Sequence, residues 1–401
     1  MTPVEAASPS ARPLPRILFV VSSLHGGGAE FVARTWMGAL AERCYQVTVV
    51  LVSDSLNPRQ HLPAGVRLLR ITAPEGQIAK ANALRAMLVA TKPDIAIALQ
   101  THPNLVLLAA SLMVPSAERP KVVISERNIV SLGLAGAPVS HRAKVLAAKR
   151  LYRLADHVIA ISHPVAAELV AGFGVAGDRV TVVPNPATAK VSADGVTDAA
   201  AWPALRRRPG VERGLQVVLA CRLVAQKRPL LAIDAAAELV RRGIPVEVVA
   251  FGDGPLLRSL TDAADRAGVD FWHQGWVENW FAVVGDNAVI LLPSDREGFG
   301  NVLVEAAAAG YPSVAVSGAL GVADAIVPGI TGELALSAGA SDLADAIVRA
   351  AGLPVDPAQI EPWLRRFSVE ASVAALESVL RRTVGTGEKS PAGTPIGVDQ
   401  P

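Results

Sequence analysis

Three stretches of this chain combine charge, hydroxyl-binding groups and glycine at spacings that suit chemistry. The densest is Asp295-Arg296-Glu297-Gly298-Phe299-Gly300-Asn301-Val302-Leu303-Val304-Glu305, which follows the apolar run Ala288–Leu292, crosses a glycine turn and opens a helix. Backbone amides at a helix start lack partners and sit at the positive end of the helix dipole, so they accept phosphate oxygens. Glu297 lies on the turn and Glu305 further along, inside the helix. Two carboxylates so placed hydrogen-bond hydroxyls at two points of a long ligand; they also read as a loop glutamate and a solvated helix glutamate. The second stretch, Cys221-Arg222-Leu223-Val224-Ala225-Gln226-Lys227, sets two cations at the end of another apolar run. Arg222 and Lys227 there suit a diphosphate, or are solvated surface. The third, Ser22-Ser23-Leu24-His25-Gly26-Gly27-Gly28-Ala29-Glu30, holds three consecutive glycines between a strand-like run and a helix. Such a loop admits a ligand close to the backbone, or is a tight turn. Its spacing is not G-x-G-x-x-G, which argues against a dinucleotide-dependent dehydrogenase.

Further polar candidates stand in the first half. Ser125-Glu126-Arg127-Asn128 follows the run Lys121–Ser125. A carboxylate at that place orients or deprotonates a hydroxyl; equally, Glu126 and Arg127 pair with each other. His102, after the run ending at Leu99, points into a cleft or packs, and His163 caps or packs near the Ile161–Pro164 turn. Ser140–Leu154 carries His141, Arg142, Lys144, Lys149, Arg150 and Arg153 among Val145, Leu146, Leu151 and Tyr152. A basic amphipathic helix of this kind lies on an anionic membrane, holds a pyrophosphate-bearing acceptor, or is a solvated face.

The elements that must position these groups alternate. Arg16–Ser22, Gln46–Val52, Arg67–Ile71, Asp94–Leu99, Lys121–Ser125, His157–Ile161 and Arg179–Val183 are strand-length apolar runs. Helix-like segments such as Ala29–Glu42, Ile78–Thr91 and Pro164–Gly172 lie between them. A second alternation runs through Leu215–Ala220, Pro229–Arg242, Val246–Ala250, Pro255–Ala267, Ala288–Leu292, Val302–Ala309 and Ser313–Val316, and a last helix covers Val369–Thr383. Apolar strands alternating with helices predict parallel sheets covered on both faces. The expectation is α/β, with two Rossmann-like doubly wound parallel-sheet domains facing across a cleft. Ligands bind such sheets at the carboxyl ends of the strands.

Length and composition agree. A chain of 401 residues suits two domains, and 51% hydrophobic residues fill large cores. A net charge of +2 gives no strong field for nucleic acid, which is not expected as a partner. Cys44 and Cys221 both read as buried free thiols rather than a disulfide or a metal site. No apolar run reaches the roughly 18–20 residues of a membrane-spanning helix, and Ile17–Val21 is too short for a signal peptide core. The expectation is a soluble cytoplasmic protein able to dock on the inner face of the cytoplasmic membrane.

The glutamate pair with seven residues between, the Glu297-Gly298-Phe299-Gly300 segment, the Arg222-Leu223…Lys227 loop and the Gly27-Gly28-Ala29-Glu30 loop occur together in order. In this the chain resembles the large family-four, group-1 type of retaining GT-B glycosyltransferases, from about Arg16 to Thr383 and most densely from Leu215 to Glu305. The resemblance implies an acceptor domain at 16–190, a linker at 191–213, a nucleotide-sugar donor domain at 214–367 and a helix at 368–384 packing back on the first domain. Tails at 1–15 and 385–401 are expected to be disordered. It implies that Arg222 and Lys227 neutralise the donor diphosphate and the departing nucleotide, and that Glu297 binds hydroxyls of the donor sugar. The amides of Gly298, Phe299, Gly300, Asn301 and Val302 help hold the phosphates, and Glu305 binds the ribose. Gly27 and Gly28 close on the donor, while Gly252-Asp253-Gly254-Pro255 and Gly275-Trp276-Val277 line the base pocket. Glu126, Arg127, Asn128 and His102 are acceptor-side candidates, with Glu126 also a catalytic one. Many relatives carry a histidine near residues 125–128; this chain does not. No Asp-x-Asp pair occurs, which agrees with transfer that needs no metal or other cofactor. A nucleotide-diphosphate sugar and a glycan or lipid-linked acceptor are the expected partners. A nucleotide-sugar epimerase, a phosphorylase (for which no pyridoxal lysine is identified) and a non-catalytic nucleotide-sugar-binding protein of a membrane complex are the alternatives.

Overall fold

The computed structural model describes residues 14–25, 27–52, 62–71, 76–132, 134, 137–191, 214–277 and 279–385. The tails expected at 1–15 and 385–401 and the linker at 191–213 fall almost wholly outside those residues.

Each half is built on one parallel sheet. The first contains β1 (Arg16–Val21), β2 (Gln46–Leu51), β3 (Arg67–Arg70), β4 (Ile95–Leu99), β5 (Lys121–Glu126), β6 (His157–Ala160) and β7 (Val180–Val182) in the order β3-β2-β1-β4-β5-β6-β7. The second contains β8 (Leu215–Ala220), β9 (Val246–Phe251), β10 (Asp270–Gly275), β11 (Ala288–Leu292), β12 (Ser313–Val316) and β13 (Gly332–Ala335) in the order β10-β9-β8-β11-β12-β13. Central strands are buried on both faces and therefore read as unbroken apolar runs. β4 and β11 bury all 5 of their residues. The strand order reverses beside β1 and β8, where Val20 lies between Val50 and Ala98 and Val218 pairs with both Val249 and Ile290. Those reversals are where loops diverge and leave a crevice at the carboxyl ends.

Helices cover both faces of each sheet. In the first half, Gln77–Thr91, Thr101–Leu112 and Val139–Leu151 pack on one face through Leu84, Leu88, Leu107 and Val145. Gly28–Glu42 packs on the other with Trp36, Met37 and Leu40. The last helix, Val369–Thr383, joins that same cluster with Val373, Leu376, Val379 and Leu380. Burying each of these side chains contributes roughly 1.5–3 kcal/mol. The contact is fixed by polar groups: Trp36 Nε1 donates to Ser372 Oγ at 2.8 Å, and Ser372 Oγ donates to the Pro184 carbonyl at 2.6 Å. Ser368 caps the helix start, accepting the Ala371 N–H at 3.1 Å.

Beyond Ser313–Val316, where the sequence pattern ends, the second half continues through β13 and the helices Ala340–Ala351 and Glu361–Leu364. β10, at the sheet edge, is also absent from the sequence reading, because Asp270-Phe271-Trp272-His273-Gln274-Gly275 is a mostly half-exposed polar and aromatic run. Two expectations need correction. Cys44 is exposed, standing past the end of the helix Gly28–Glu42 at φ 65°; Cys221 is buried, and burial pushes its thiol up to about 11. The basic helix begins at Val139 and ends at Leu151, and Tyr152 behind it is fully buried rather than part of an exposed face. Among the described residues, no helix is long and apolar enough to cross a membrane.

Candidate functional site

The two halves meet through their carboxyl-end loops, where Gly298 and Asn301 of the second half touch Arg127, Ser162 and Asn185 of the first. Glu297, 7% exposed, accepts through Oε1 from Ser294 Oγ at 2.6 Å and from Lys227 Nζ. Its backbone N–H donates to the Ala319 carbonyl at 3.0 Å, which locks the turn against the loop after β12. Lys227 comes from the loop after β8, so the switch point of the second sheet joins one loop's ammonium to the other's carboxylate. Arg222 opens the same loop with an exposed side chain. A buried carboxylate held between an ammonium and a hydroxyl is fixed in direction, as a hydroxyl-binding group requires.

Glu305 lies deeper, on the helix Asn301–Ala308, and is 3% exposed. That excludes the reading of a solvated helix glutamate. Its Oε1 accepts from Lys190 Nζ at 3.0 Å and its Oε2 from Trp280 Nε1 at 3.2 Å. Neither partner is a candidate in the sequence reading. The helix start at Asn301 follows Gly300, whose φ of 106° suits glycine. Phe299 turns its ring into the core, 5.3 Å from Phe367, and Val302 is half-buried.

Contacts from the first half close over this turn. Gly298 packs so tightly on the loop after β5 that a Cβ would stand 2.1 Å from the Arg127 carbonyl oxygen. Ser162 Oγ donates to the Gly298 carbonyl at 2.6 Å. Asn185 Nδ2 donates to Asn301 Oδ1 at 2.6 Å, and Arg127 donates to Asn185 Oδ1. Gly28 faces Asn301, while Gly27 caps the helix Gly28–Glu42 and is exposed. His163 bonds Asp324 Oδ2 through Nδ1 at 2.8 Å, another contact between the halves.

The acceptor-side candidates divide. Glu126, read from the sequence as acting on a hydroxyl or pairing with Arg127, is held inside the first half. It is 1% exposed; Oε2 accepts from Tyr152 Oη at 2.6 Å and Thr101 Oγ1 at 3.0 Å, and Oε1 from the Arg127 N–H at 2.9 Å. Burial pushes its carboxyl pKa up, and those three hydrogen bonds pull it back. Arg127 is half-buried with its Cζ 5.4 Å over the Trp36 ring; burial lowers its pKa to about 10, so it stays a cation at neutral pH. Asn128 spends its Oδ1 on the Ile129 N–H at 2.9 Å. The loop is tied down by Glu168, which accepts the N–H groups of Val130 and Ser131 at 2.8 and 2.7 Å. His102, at the start of Thr101–Leu112, bonds Gln77 Oε1 through Nε2 at 2.7 Å; burial, then Lys80 and Lys144, push its pKa down, so it is neutral at pH 7.

The residues expected at a base pocket lie on the loops that follow β9 and β10. Gly252 has φ 131° and sits against the Cys221 carbonyl, 2.2 Å from where a Cβ would stand. Its N–H donates to the Gly275 carbonyl at 2.6 Å. Half-buried Val277 packs with the cluster around Phe251 and Trp280.

Comparison with known proteins gives the same division into halves. Residues 26–189 match the family model for Glycosyltransferase Family 4, and residues 214–352 match that for Glycosyl transferases group 1. A D-inositol 3-phosphate glycosyltransferase of Kribbella flavida is 31% identical over 232 residues, 54% of this chain and 52% of that protein. The chain spans about half the length of the curated relatives it matches. The fold is similar to that of Anabaena HepE, solved in complex with UDP-glucose (TM-score 0.70, 23% identity, 92% of this chain and 100% of that one). It is also similar to sucrose-phosphate synthase from Thermosynechococcus elongatus (TM-score 0.73, 18% identity, 93% and 100%). Two parallel-sheet halves of this kind are the GT-B architecture, and with both halves matched the chain belongs to the family 4, group 1 glycosyltransferases.

Proposed function

We propose that the protein transfers a sugar from a nucleotide-diphosphate sugar to a hydroxyl of a glycan or glycolipid acceptor, with retention at the anomeric carbon and without a divalent metal or other cofactor. The observation that carries this reading is the Lys227–Glu297 pair at the switch point of the second sheet, with Glu305 buried behind it on the same turn and helix. In this reading Arg222 and Lys227 take the diphosphate and stabilise the charge that gathers on the leaving nucleotide. Glu297 accepts hydrogen bonds from the donor sugar, and the amides of residues 298–302 meet phosphate oxygens. Glu305 takes the ribose, and Gly252 and Val277 border the base. Glu126, tied to Tyr152 and Thr101, holds the loop that carries Arg127 toward the acceptor side.

An anionic acceptor suits the cations near two first-half histidines: Lys80 and Lys144 bear on His102, and Lys144 and Arg296 on His141. The phosphate in the acceptor named for the curated relatives supports the same class. Val139 and Leu146, 82% and 52% exposed on the basic helix, suit docking on an anionic membrane at its cytoplasmic face. The test is incubation with UDP-, GDP- and ADP-sugars and lipid or sugar-phosphate acceptors, with EDTA present, and NMR assignment of the product anomer. Glu297→Ala is expected to abolish transfer while keeping most nucleotide binding, and Lys227→Ala to weaken both. Full activity in either variant, or an inverted product, contradicts the reading.

A further inference from the structure

Glu305 has a partner that none of the second half's motifs supplies. Its Oε1 accepts from Lys190, which ends the turn Ala187–Lys190 of the first half. The ammonium of Lys190 also lies 5.1 Å over the Phe31 ring, on the helix that starts at Gly28. One side chain thus joins the glycine-loop helix to the donor helix, at 23% exposure.

A carboxylate this deeply buried is costly in its ionised form unless donors and an opposite charge compensate it. Trp280 compensates Oε2 with a neutral N–H. Lys190 brings to Oε1 the positive charge. An ionised carboxylate has about four acceptor positions, so one donor on each oxygen leaves one position on each open. Two adjacent hydroxyls match that pair only while the plane of the carboxylate is held.

We propose that Lys190 is a positioning residue of the donor site, holding the Glu305 carboxylate oriented to accept the vicinal hydroxyls of the donor's ribose. The proposal rests on the reading of Glu305 as the ribose ligand. Lys190 acts on the ribose end, while Arg222 and Lys227 serve the diphosphate. Its loss therefore erodes the preference for ribonucleotides over 2′-deoxyribonucleotides instead of weakening all nucleotides alike.

The experiment is calorimetric titration of UDP, GDP and ADP and their 2′-deoxy counterparts into the wild type, Lys190→Met, Lys190→Arg, Glu305→Gln and the Lys190→Met/Glu305→Gln double variant. For the base that binds, the wild type is expected to favour the ribonucleotide by about tenfold or more. Lys190→Met and Glu305→Gln are expected to fall to within about threefold, the double variant no lower than either single one, and Lys190→Arg to restore most of the preference. Lys190→Gln gives the same comparison if the Met variant does not fold. A lysine variant that keeps the wild-type preference, or loses affinity equally for both sugars, overturns the proposal. A wild type that binds a nucleotide without discriminating overturns the ribose reading of Glu305 itself.

Discussion

Gly298→Ala tests the contact between the halves at its tightest point. An alanine Cβ would lie 2.1 Å from the Arg127 carbonyl oxygen and 2.7 Å from the carbon that bears it. Ordinary carbon–oxygen contact is about 3.3 Å, so the two loops must separate by about 1 Å. Both partners are main chain, and no rotamer change relieves the clash. That separation breaks the 2.6 Å bond from Ser162 Oγ to the Gly298 carbonyl. Overpacking costs about 1–3 kcal/mol and the hydrogen bond about 1 kcal/mol. Together they set about 2–4 kcal/mol against the closed arrangement, a factor of roughly 30 to 1,000 in its population. Each half keeps its own sheet, so the variant folds with wild-type far-ultraviolet circular dichroism. Its kcat/KM for sugar transfer drops by that factor, because the closed arrangement assembles the site. A Gly298→Ala enzyme with wild-type kcat/KM would show that this contact does not assemble the site.

Three further outcomes follow from buried groups. His157 is 6% exposed, and burial together with Arg382 lowers its pKa to about 4 from 6.5. A depressed histidine contributes stability that is present above pH 6.5 and lost as pH falls toward 4, on the order of 3 kcal/mol; chemical denaturation across that window should show this acid loss, and His157→Gln should remove it. Glu126 has the opposite sign: its folded pKa is raised above the ordinary 4.5, so its contribution is full below 4.5 and lost as pH rises through the folded value. The melting temperature of Glu126→Gln relative to wild type should therefore rise between pH 4 and 8, and a flat difference would show that Glu126 does not titrate this way. Trp36→Phe removes the donor to Ser372 Oγ and should lower stability by about 1 kcal/mol in urea unfolding, whereas an unchanged midpoint would separate the C-terminal helix from the stability of the first half.

The parts of the site that are legible in the sequence are local. Glu297, the glycine turn and Glu305 lie on one strand–turn–helix passage, and Arg222 and Lys227 on one loop, so apolar patterning alone puts them at strand ends. What is not legible depends on how the two sheets face each other. Lys190 and Glu305 are 115 residues apart, and Ser162 and Gly298 are 136 apart, with no pattern linking them. Glu126 shows the limit from the other side. Its loop position is readable, but its direction is set by Tyr152, which sequence patterning assigns to an amphipathic helix face and packing buries completely. In the fold, β13 has 4 residues and β10 lies at a half-exposed edge, so neither has the apolar run that marks the central strands. The helix Ala340–Ala351 does carry a signal, with Leu343, Ala346, Ile347 and Ala350 buried at helical spacing, but Gly339 before it lacks a side-chain cap.

In the proposed function the second sheet's carboxyl end binds a nucleotide diphosphate through Arg222 and Lys227. The most direct measurement is a thermal-shift screen of the folded protein against UDP, GDP, ADP and their sugar conjugates, repeated with Arg222→Ala and Lys227→Ala. Binding at 100 times Kd stabilises by about 2.7 kcal/mol, a readable shift. A selective shift with one base, lost or sharply reduced in both variants, is expected. No shift with any nucleotide, or one that survives both substitutions, would contradict it.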